Sequence, residues 1–437
     1  MEQQNNWHLL KYTLFAENPN DKNEIFCVNL LSGTCFNLTR EEFNLLFKFH
    51  QLEENNEILK KFIQQGIIIN FDETALLRVM SKKISYSFNN LKLTICPTIG
   101  CNFNCPYCFE NHIPSKMSEE VQEDILNFLK KCKDLKKINL TWYGGEPLLF
   151  PDIIESLSNK IINFTKENNI SYTANIITNG FLLTQEIADM LNRVNVSSYQ
   201  ITLDGIGEKH NITRHLINGG PTFDRIIENL KNIKINGRIS IRHNVYEENK
   251  DEVNELQNFV KKIKEESGNN ITYYAVPVAG NFVAEKRQEN VKLLSEDKAA
   301  KIEAIKDAKR FCKVDMCYCG TQTLEFIVID PEGKLYKCWE DVDKSERSFG
   351  DIKTWNPFNP LYSCKKIDML SNYLNTIEVL NDLECKECIL LPFCKGGCPN
   401  KRLYYKKKCP AYKNNPEILV LEIAKRYLNK NRNFLDK

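Results

Sequence analysis

Cys101-Asn102-Phe103-Asn104-Cys105-Pro106-Tyr107-Cys108 places three thiols in one short loop with the spacing C-x3-C-x2-C. Three thiolates so spaced can hold three irons of a cubane cluster and leave the fourth iron open to another ligand. A zinc site is the competing reading. It would need a fourth ligand close by, and His112 is the only candidate in the sequence. An apolar strand-like run, residues 91–95, stands just before the loop, and an amphipathic helix stands after it.

The same alternation continues outward. Apolar strands recur at residues 138–143, 174–178, 199–203, 239–245 and 272–276. Val121, Ile125, Phe128, Leu129 and Cys132 line one face of the first helix, with Ser118 as its cap. Further helices are expected at residues 152–167, 185–193, 222–236 and 249–266. Strand–helix alternation of this kind implies an α/β fold on a parallel sheet, open or curled toward a barrel. Function then belongs at the carboxyl ends of the strands. Three polar turns fall there: Gly144-Gly145-Glu146-Pro147, Thr178-Asn179-Gly180, and Thr202-Leu203-Asp204-Gly205.

Composition narrows the class. Lys and Arg number 59 against 57 Asp and Glu in 437 residues, a balance that argues against a nucleic-acid or anionic-membrane binder. Mean hydropathy is -0.42, and no apolar run reaches the ~18 residues of a membrane span. The polar start, Met1-Glu2-Gln3-Gln4, lacks the pattern of a signal peptide, so a cytoplasmic location is expected. The chain has 17 cysteines, and in a cytoplasmic chain the clustered ones read as metal ligands rather than disulfides. Cys27, Cys35, Cys96 and Cys132 lie outside the clusters and read as small buried hydrophobes.

The cysteine loop and the turns that follow it resemble the radical S-adenosylmethionine (SAM) enzymes, over residues 91–280. The resemblance implies a partial (β/α)6 TIM barrel whose Cys101, Cys105 and Cys108 hold a catalytic 4Fe–4S cluster. It implies SAM contacts from Tyr107, Gly144, Gly145, Glu146, Pro147, Thr178, Asn179, Thr202, Asp204 and Arg214. Glycines at the first turn would let the backbone approach the ligand. For Arg214 a surface ion pair is an equally open reading, and Asn244 is a weaker candidate. An external low-potential donor of flavodoxin or ferredoxin type would supply the electron. SAM would then be cleaved to a 5′-deoxyadenosyl radical that abstracts hydrogen from a substrate carbon.

A second set of cysteines begins beyond residue 311. Cys319, Cys338, Cys385, Cys388, Cys394, Cys398 and Cys409 closely resemble the seven-cysteine SPASM pattern. That resemblance implies two auxiliary 4Fe–4S clusters, three clusters in all. Cys319, Cys338 and Cys398 would serve one, and Cys385, Cys388, Cys394 and Cys409 the other. Cys312 or Cys317 could complete the first, or that site could stay open; Cys364 reads as structural. With little periodic apolar sequence of its own, this region is expected to depend on its metals.

Residues 1–80 read as a separate winged-helix-like module. Two strands meet at Ser32-Gly33, Thr39 and Glu42 form a capping box, and a helix ends at Gly66. The module resembles a RiPP recognition element, which captures a leader peptide by strand addition. The expected organisation is thus 1–80 recognition element, 88–290 radical SAM core, 291–311 helical linker and 312–425 SPASM domain. Together these resemble maturases of ribosomally made precursor peptides, best those that form thioethers (sactipeptide and ranthipeptide type). Anaerobic sulfatase-maturing enzymes, peptide epimerases and carbon–carbon crosslinkers are the alternatives. The sulfatase-maturing enzymes tend to carry aspartate where this chain has Trp339. A zinc-stabilised interaction protein is the non-enzyme alternative.

Overall fold

The computed structural model describes residues 7–53, 55–85, 88–278, 292–311 and 317–435. The front part contains β1 (His8–Leu9), β2 (Thr13–Asn18), β3 (Asp21–Asn29), β4 (Thr34–Thr39) and β5 (Ile68–Ile69). β2, β3 and β4 form an antiparallel sheet in that order, and β1 pairs with β5. Helices α1 (Arg40–Leu46), α2 (Glu57–Gln64) and α3 (Glu73–Ser85) accompany them. The capping box is formed: Thr39 accepts from the Glu42 N–H, and the Glu42 side chain accepts from the Thr39 N–H. β2 and α3 were not evident in the sequence.

Alternation along β3 explains how this part sits. Ile25 and Cys27 face a core with Leu46 and Phe62 of α1 and α2. Phe26 and Val28 face the other way, into a core shared with the helix Glu296–Ala308 and the C-terminal helix Glu417–Leu435. Leu419, Val420 and Ile423 of that helix are buried there, together with Cys385. The Lys11 Nζ also donates to the Lys386 carbonyl at 2.8 Å and the Glu387 carboxylate at 2.7 Å. The front part is therefore packed on the second cysteine region. The sequence expectation of a self-contained module missed this, because each amphipathic face names its own side but not its partner.

Six strands then run parallel: β6 (Asn90–Ile95), β7 (Lys137–Trp142), β8 (Ser171–Thr178), β9 (Val196–Thr202), β10 (Arg238–Val245) and β11 (Asn270–Pro277). Between them lie α4 (Glu119–Lys131), α5 (Pro151–Glu167), α6 (Gln185–Arg193), α7 (Glu208–Thr213), α8 (Phe223–Asn232) and α9 (Val253–Ser267). Ser118 caps α4 by accepting from the Val121 N–H. α8 stops at Asn232, four residues before the expected end, because Ile233 turns extended. The helices bury Ile138, Leu140 and Trp142 of β7 and their equivalents in one continuous core. The alternate residues, Lys137, Asn139 and Thr141, make the other face of the sheet polar.

The sheet does not end at β6. After α10 (Glu296–Ala308), β12 (Phe326–Ile329) pairs with β6 in parallel. β13 (Lys334–Tyr336) and β14 (Gly350–Asp351) extend it antiparallel, giving nine strands in the order β11-β10-β9-β8-β7-β6-β12-β13-β14. Leu335, Phe349, Ile352 and Trp355 bury into the same core as the six parallel strands. The second cysteine region thus borrows apolar packing that its own sequence lacks. Among the described residues, no helix is long and apolar enough to cross a membrane.

The shared core makes a specific prediction. Val28→Asp should place an unpaired charge against the C-terminal helix and cost about 3 kcal/mol or more. A thermal melt should show a clearly lower midpoint; an unchanged midpoint would mean the front part is not docked as described.

Candidate active site

The cysteine loop leaves β6 through a tightly bonded turn. Thr98 Oγ1 donates to the Ser115 carbonyl at 2.6 Å, and the Ile99 N–H donates to Ser115 Oγ at 2.9 Å. Further along, the Asn104 N–H donates to the His215 carbonyl, and the Ile217 N–H to the Asn102 carbonyl, each at 3.0 Å. The loop is clamped on both sides before any ligand binds. Cys105 is buried, and Cys101 and Cys108 are half-buried. Burial, with Glu146 nearby, pushes the Cys101 thiol up to about 12. Burial, with Glu110 nearby, pushes Cys108 well up. His112 Nε2 lies 3.1 Å from Cys108 Sγ.

The Gly144-Gly145 turn after β7 is pressed onto this loop. A Cβ on Gly145 would lie 2.3 Å from the carbonyl oxygens of Ile99 and Gly100. A Cβ on Gly144, whose φ is +116°, would lie 2.1 Å from the Thr98 carbonyl oxygen. The glycines therefore admit the backbone of residues 98–100, a closer approach than any side chain allows. The space a Cβ would take at each glycine is filled by the chain itself.

Glu146 is fully buried and ties two strand ends together. Its Oε1 accepts from Thr178 Oγ1 at 2.7 Å and the Leu148 N–H at 3.0 Å. Its Oε2 accepts from the Asn179 N–H at 2.7 Å. Burial pushes this carboxyl up, against the pull of those donors. Pro147 opens the short turn Pro147–Leu149. Asn179 Nδ2 reaches Asn102 Oδ1 at 2.7 Å, which joins β8 to the cysteine loop. Thr202 ends β9, in register with Arg242.

Tyr107, within the loop, is the hub of a third connection. Its hydroxyl donates to Asp204 Oδ2 and accepts from Arg214 Nη1 at 2.8 Å and Asn244 Nδ2 at 3.2 Å. Asp204 also accepts from Thr213 Oγ1 at 3.3 Å and the Asn244 N–H at 3.3 Å. Arg214 is 9% exposed and lies 5.7 Å over the Phe103 ring, so the surface ion pair considered for it is not what forms. Its Nε is buried and has no hydrogen-bond partner among the described residues. Thr213 was missed from the sequence; its place beside Arg214 was the one available signal. Glu110 was also missed. It is buried two residues after Cys108, and burial pushes its carboxyl up to about 7.

The second set of cysteines separates into two neighbourhoods. Cys385, Cys388, Cys394 and Cys409 line one recess with Lys407 and Lys413. Arg402 Nη1 stands 3.5 Å from Cys385 Sγ. Three successive left-handed residues, Lys395, Gly396 and Gly397, then reverse the chain. Cys398, beyond the reversal, lies near Cys319 instead, as does Cys338; burial pushes both thiols up, reinforced at Cys338 by Asp341 and Glu340. Asp341 fixes the arrangement by accepting from Arg347 Nη1 at 2.9 Å, Asn400 Nδ2 at 3.0 Å and Tyr373 OH at 2.5 Å. Cys317 Sγ faces the Cys319 carbonyl at 3.0 Å. Cys312 lies outside the described residues. No three His, Cys, Asp or Glu side chains among the described residues form a site for a single metal ion. Trp339 stacks on Tyr143 with centroids 4.9 Å apart and so joins this region to the glycine turn.

Comparison with known proteins identifies the parallel-sheet part. Residues 95–260 match the Radical SAM superfamily. A radical SAM cyclopropyl synthase, TigE, of Paramaledivibacter caminithermalis is 24% identical over 215 residues, 44% of this chain and 44% of its own. A cysteine-type anaerobic sulfatase-maturating enzyme of Clostridium novyi is 24% identical over 345 residues, 71% of this chain and 88% of its own. The chain spans about half the length of the first curated relatives it matches. Among solved structures, anSMEcpe with bound AdoMet and the Cp18Cys peptide aligns at a TM-score of 0.59 and 22% identity, over 79% of this chain and 99% of that one. Streptococcus suis SuiB bound to precursor peptide SuiA aligns at 0.52 and 16%, over 93% and 99%. At these identities the structural likeness is one of fold. Residues 95–260, with the cysteine loop at the carboxyl end of their first strand, form a radical SAM domain.

Proposed function

We propose that this chain matures a ribosomally synthesised precursor peptide, joining a cysteine sulfur to a carbon of another residue as a thioether. The observation that carries the reading is the convergence of the cysteine loop, the Gly144-Gly145 turn and the Tyr107–Asp204–Arg214 network at one end of the sheet. Cys101, Cys105 and Cys108 would hold a 4Fe–4S cluster there. Their burial fits this role, because a thiolate unfavourable on its own gains from bound iron. The unpartnered Nε of Arg214 fits the carboxylate of AdoMet. Glu146 spends three acceptor positions on the chain and keeps about one for the ammonium. Bound together, the cluster and AdoMet supply a carbon radical that takes a hydrogen atom from the peptide. The protein's part is to hold the loop rigid, position the peptide and keep water out.

The SPASM reading of the second set follows the same geometry. Cys385, Cys388, Cys394 and Cys409 would close around one auxiliary cluster, and Cys319, Cys338 and Cys398 would serve another. Thioether formation breaks one S–H and one C–H bond and makes one S–C bond. One hydrogen leaves as an atom to the adenosyl carbon and the other as a proton. The remaining electron would be taken up by an auxiliary cluster held at those cysteines, and a flavodoxin- or ferredoxin-type donor would supply the electron that cleaves AdoMet. The front part would take the leader along an edge of its sheet, β2 or β4, as an added strand. We assign 1–80 to recognition, 88–290 to a partial barrel, 291–311 to a linker and 312–425 to the auxiliary clusters. The SuiB complex with SuiA, which spans most of this chain, supports a peptide substrate.

Sulfatase maturation is the second reading, favoured by the long match to the Clostridium novyi enzyme. Trp339 speaks against it. Those maturases tend to have aspartate at this position, and here the side chain stacks on Tyr143 and donates to Thr94 Oγ1 at 3.0 Å.

Two measurements test the proposal. Gly145→Ala drives a methyl group into the Ile99 and Gly100 carbonyls, so the cysteine loop must shift. Iron in the reconstituted protein should fall by roughly a third, one cubane of three; undiminished iron would detach the turn from the cluster site. Incubation of the reduced holoenzyme with AdoMet and a cysteine-bearing precursor should yield a peptide lighter by one pair of hydrogens and inert to thiol alkylation. An aldehyde-bearing product trapped by a hydrazide would instead establish the sulfatase-type reaction.

A further inference from the structure

The polar face of the sheet contains a cavity of about 450 Å³ between β6, β7, β8 and β12. Lys92, Thr94, Asn139, Thr141 and Asn175 line it from the strands, with Lys137 at the start of β7. No carboxylate among the described residues lines it. Among the described residues, neither Lys92 nor Lys137 has an ion pair or side-chain hydrogen bond. Glu325 pairs with Lys92 only through its backbone carbonyl, at 2.7 Å. Its carboxylate turns to the N–H groups of Asn89 and Asn90, at 3.2 and 3.1 Å. The positive charge of the cavity is therefore uncompensated among the described residues.

Its polar groups are mixed: Asn175 Nδ2 is turned to the Leu140 carbonyl at 3.4 Å, and Thr94 keeps a hydrogen to donate. Asn139 is locked between neighbours: its Oδ1 accepts from Thr173 Oγ1 at 2.8 Å, and its Nδ2 donates to Asn90 Oδ1 at 2.6 Å. Thr94 Oγ1 accepts from Trp339 Nε1, which leaves its own hydrogen to donate. Gly320, next to Cys319, also lines the cavity. The cavity thus touches Thr94, which Trp339 bonds, and the residue next to Cys319.

We propose that this cavity seats a carboxylate-bearing side chain of the peptide substrate, with Lys92 as its charge partner. The proposal rests on the peptide-maturase reading and adds to it a chemical preference: an aspartate or glutamate close to the modified position. An ammonium half-withdrawn from water, in a cavity it shares with the Thr94 hydroxyl, recognises a carboxylate by charge-assisted hydrogen bonds, and an amide of the same shape cannot replace it. Lys92 is also within electrostatic reach of Cys319. Service to a cluster at that cysteine is the competing role, and the test separates the two.

Binding of acetyl-Ala-Asp-Ala-amide and acetyl-Ala-Asn-Ala-amide to the intact, anaerobically reconstituted protein can be compared by ligand-observed NMR. The aspartyl peptide should bind roughly 10-fold more tightly, the size of one charge-assisted hydrogen bond. Lys92→Met should abolish the difference, and Lys92→Arg should keep most of it. Equal binding of the two peptides to the native protein would overturn the proposal, whether or not the variants fold. So would an aspartyl advantage that survives in Lys92→Met with full iron content, or a Lys92→Met protein that changes only the reduction potential of a cluster. Acetyl-Ala-Asn-Ala with a free carboxyl terminus is the third arm; tighter binding than the aspartyl peptide would overturn the side-chain assignment. Formation of 5′-deoxyadenosine in the same preparations reports separately on the maturase reading. Its absence would end that reading without altering the peptide comparison.

Discussion

The backbone of the Gly144-Gly145 turn lies directly on the carbonyls of Thr98, Ile99 and Gly100, and the site depends on that contact. It has no room for a side chain at either glycine. It brings the end of β7 against the start of the cysteine loop, and the Gly145 and Glu146 N–H groups bond to the Thr98 and Gly100 carbonyls at 3.3 and 3.0 Å. Glu146 then reaches β8 through Thr178 and Asn179. Tyr107 reaches the ends of β9 and β10 through Asp204 and Asn244. Each link removes freedom from a loop that must hold three thiols in fixed relation. Preorganisation of this kind lowers the entropy lost when a ligand binds.

The buried carboxyls serve this rigidity as much as any chemistry. Glu146 and Asp204 are wholly buried, and each accepts several hydrogen bonds from the chain. A buried carboxylate missing one of these partners would be costly. Arg214 balances the pair, lying against Tyr107 with its Nε buried and unpartnered among the described residues. The second cysteine region is held differently. Its strands continue the main sheet, and its C-terminal helix packs under the front part. The three regions share cores, so a change at one surface can be felt at another.

Much of the sheet was legible because parallel strands covered by helices carry apolar residues on a strict schedule. All six parallel strands fall within a few residues of where the sequence put them. α6 begins and ends as expected, with Thr184 as its cap. Cys27, Cys35, Cys96 and Cys132 are all buried, as their isolation from the clusters suggested. β2 escaped notice because Glu17 and Asn18 interrupt its apolar pattern. The docking of the front part was not legible, since an apolar face does not name its partner. Nor were the partners within the site. Tyr107 and Asp204 are 97 residues apart, and only the fold brings them together. The glycines show the remaining limit: their position was evident, but what occupies the space beside them is a matter of tertiary contact.

The account stands on one claim, that the thiols of Cys101, Cys105 and Cys108 hold a cluster whose open iron takes AdoMet beside the Gly144-Gly145 turn. Electron paramagnetic resonance of the dithionite-reduced protein, recorded with and without AdoMet, tests it directly. The account predicts that AdoMet shifts the signal of one cluster, and that the shift is lost in Cys105→Ala while the other signals persist. Spectra that are identical with and without AdoMet in the native protein would contradict it.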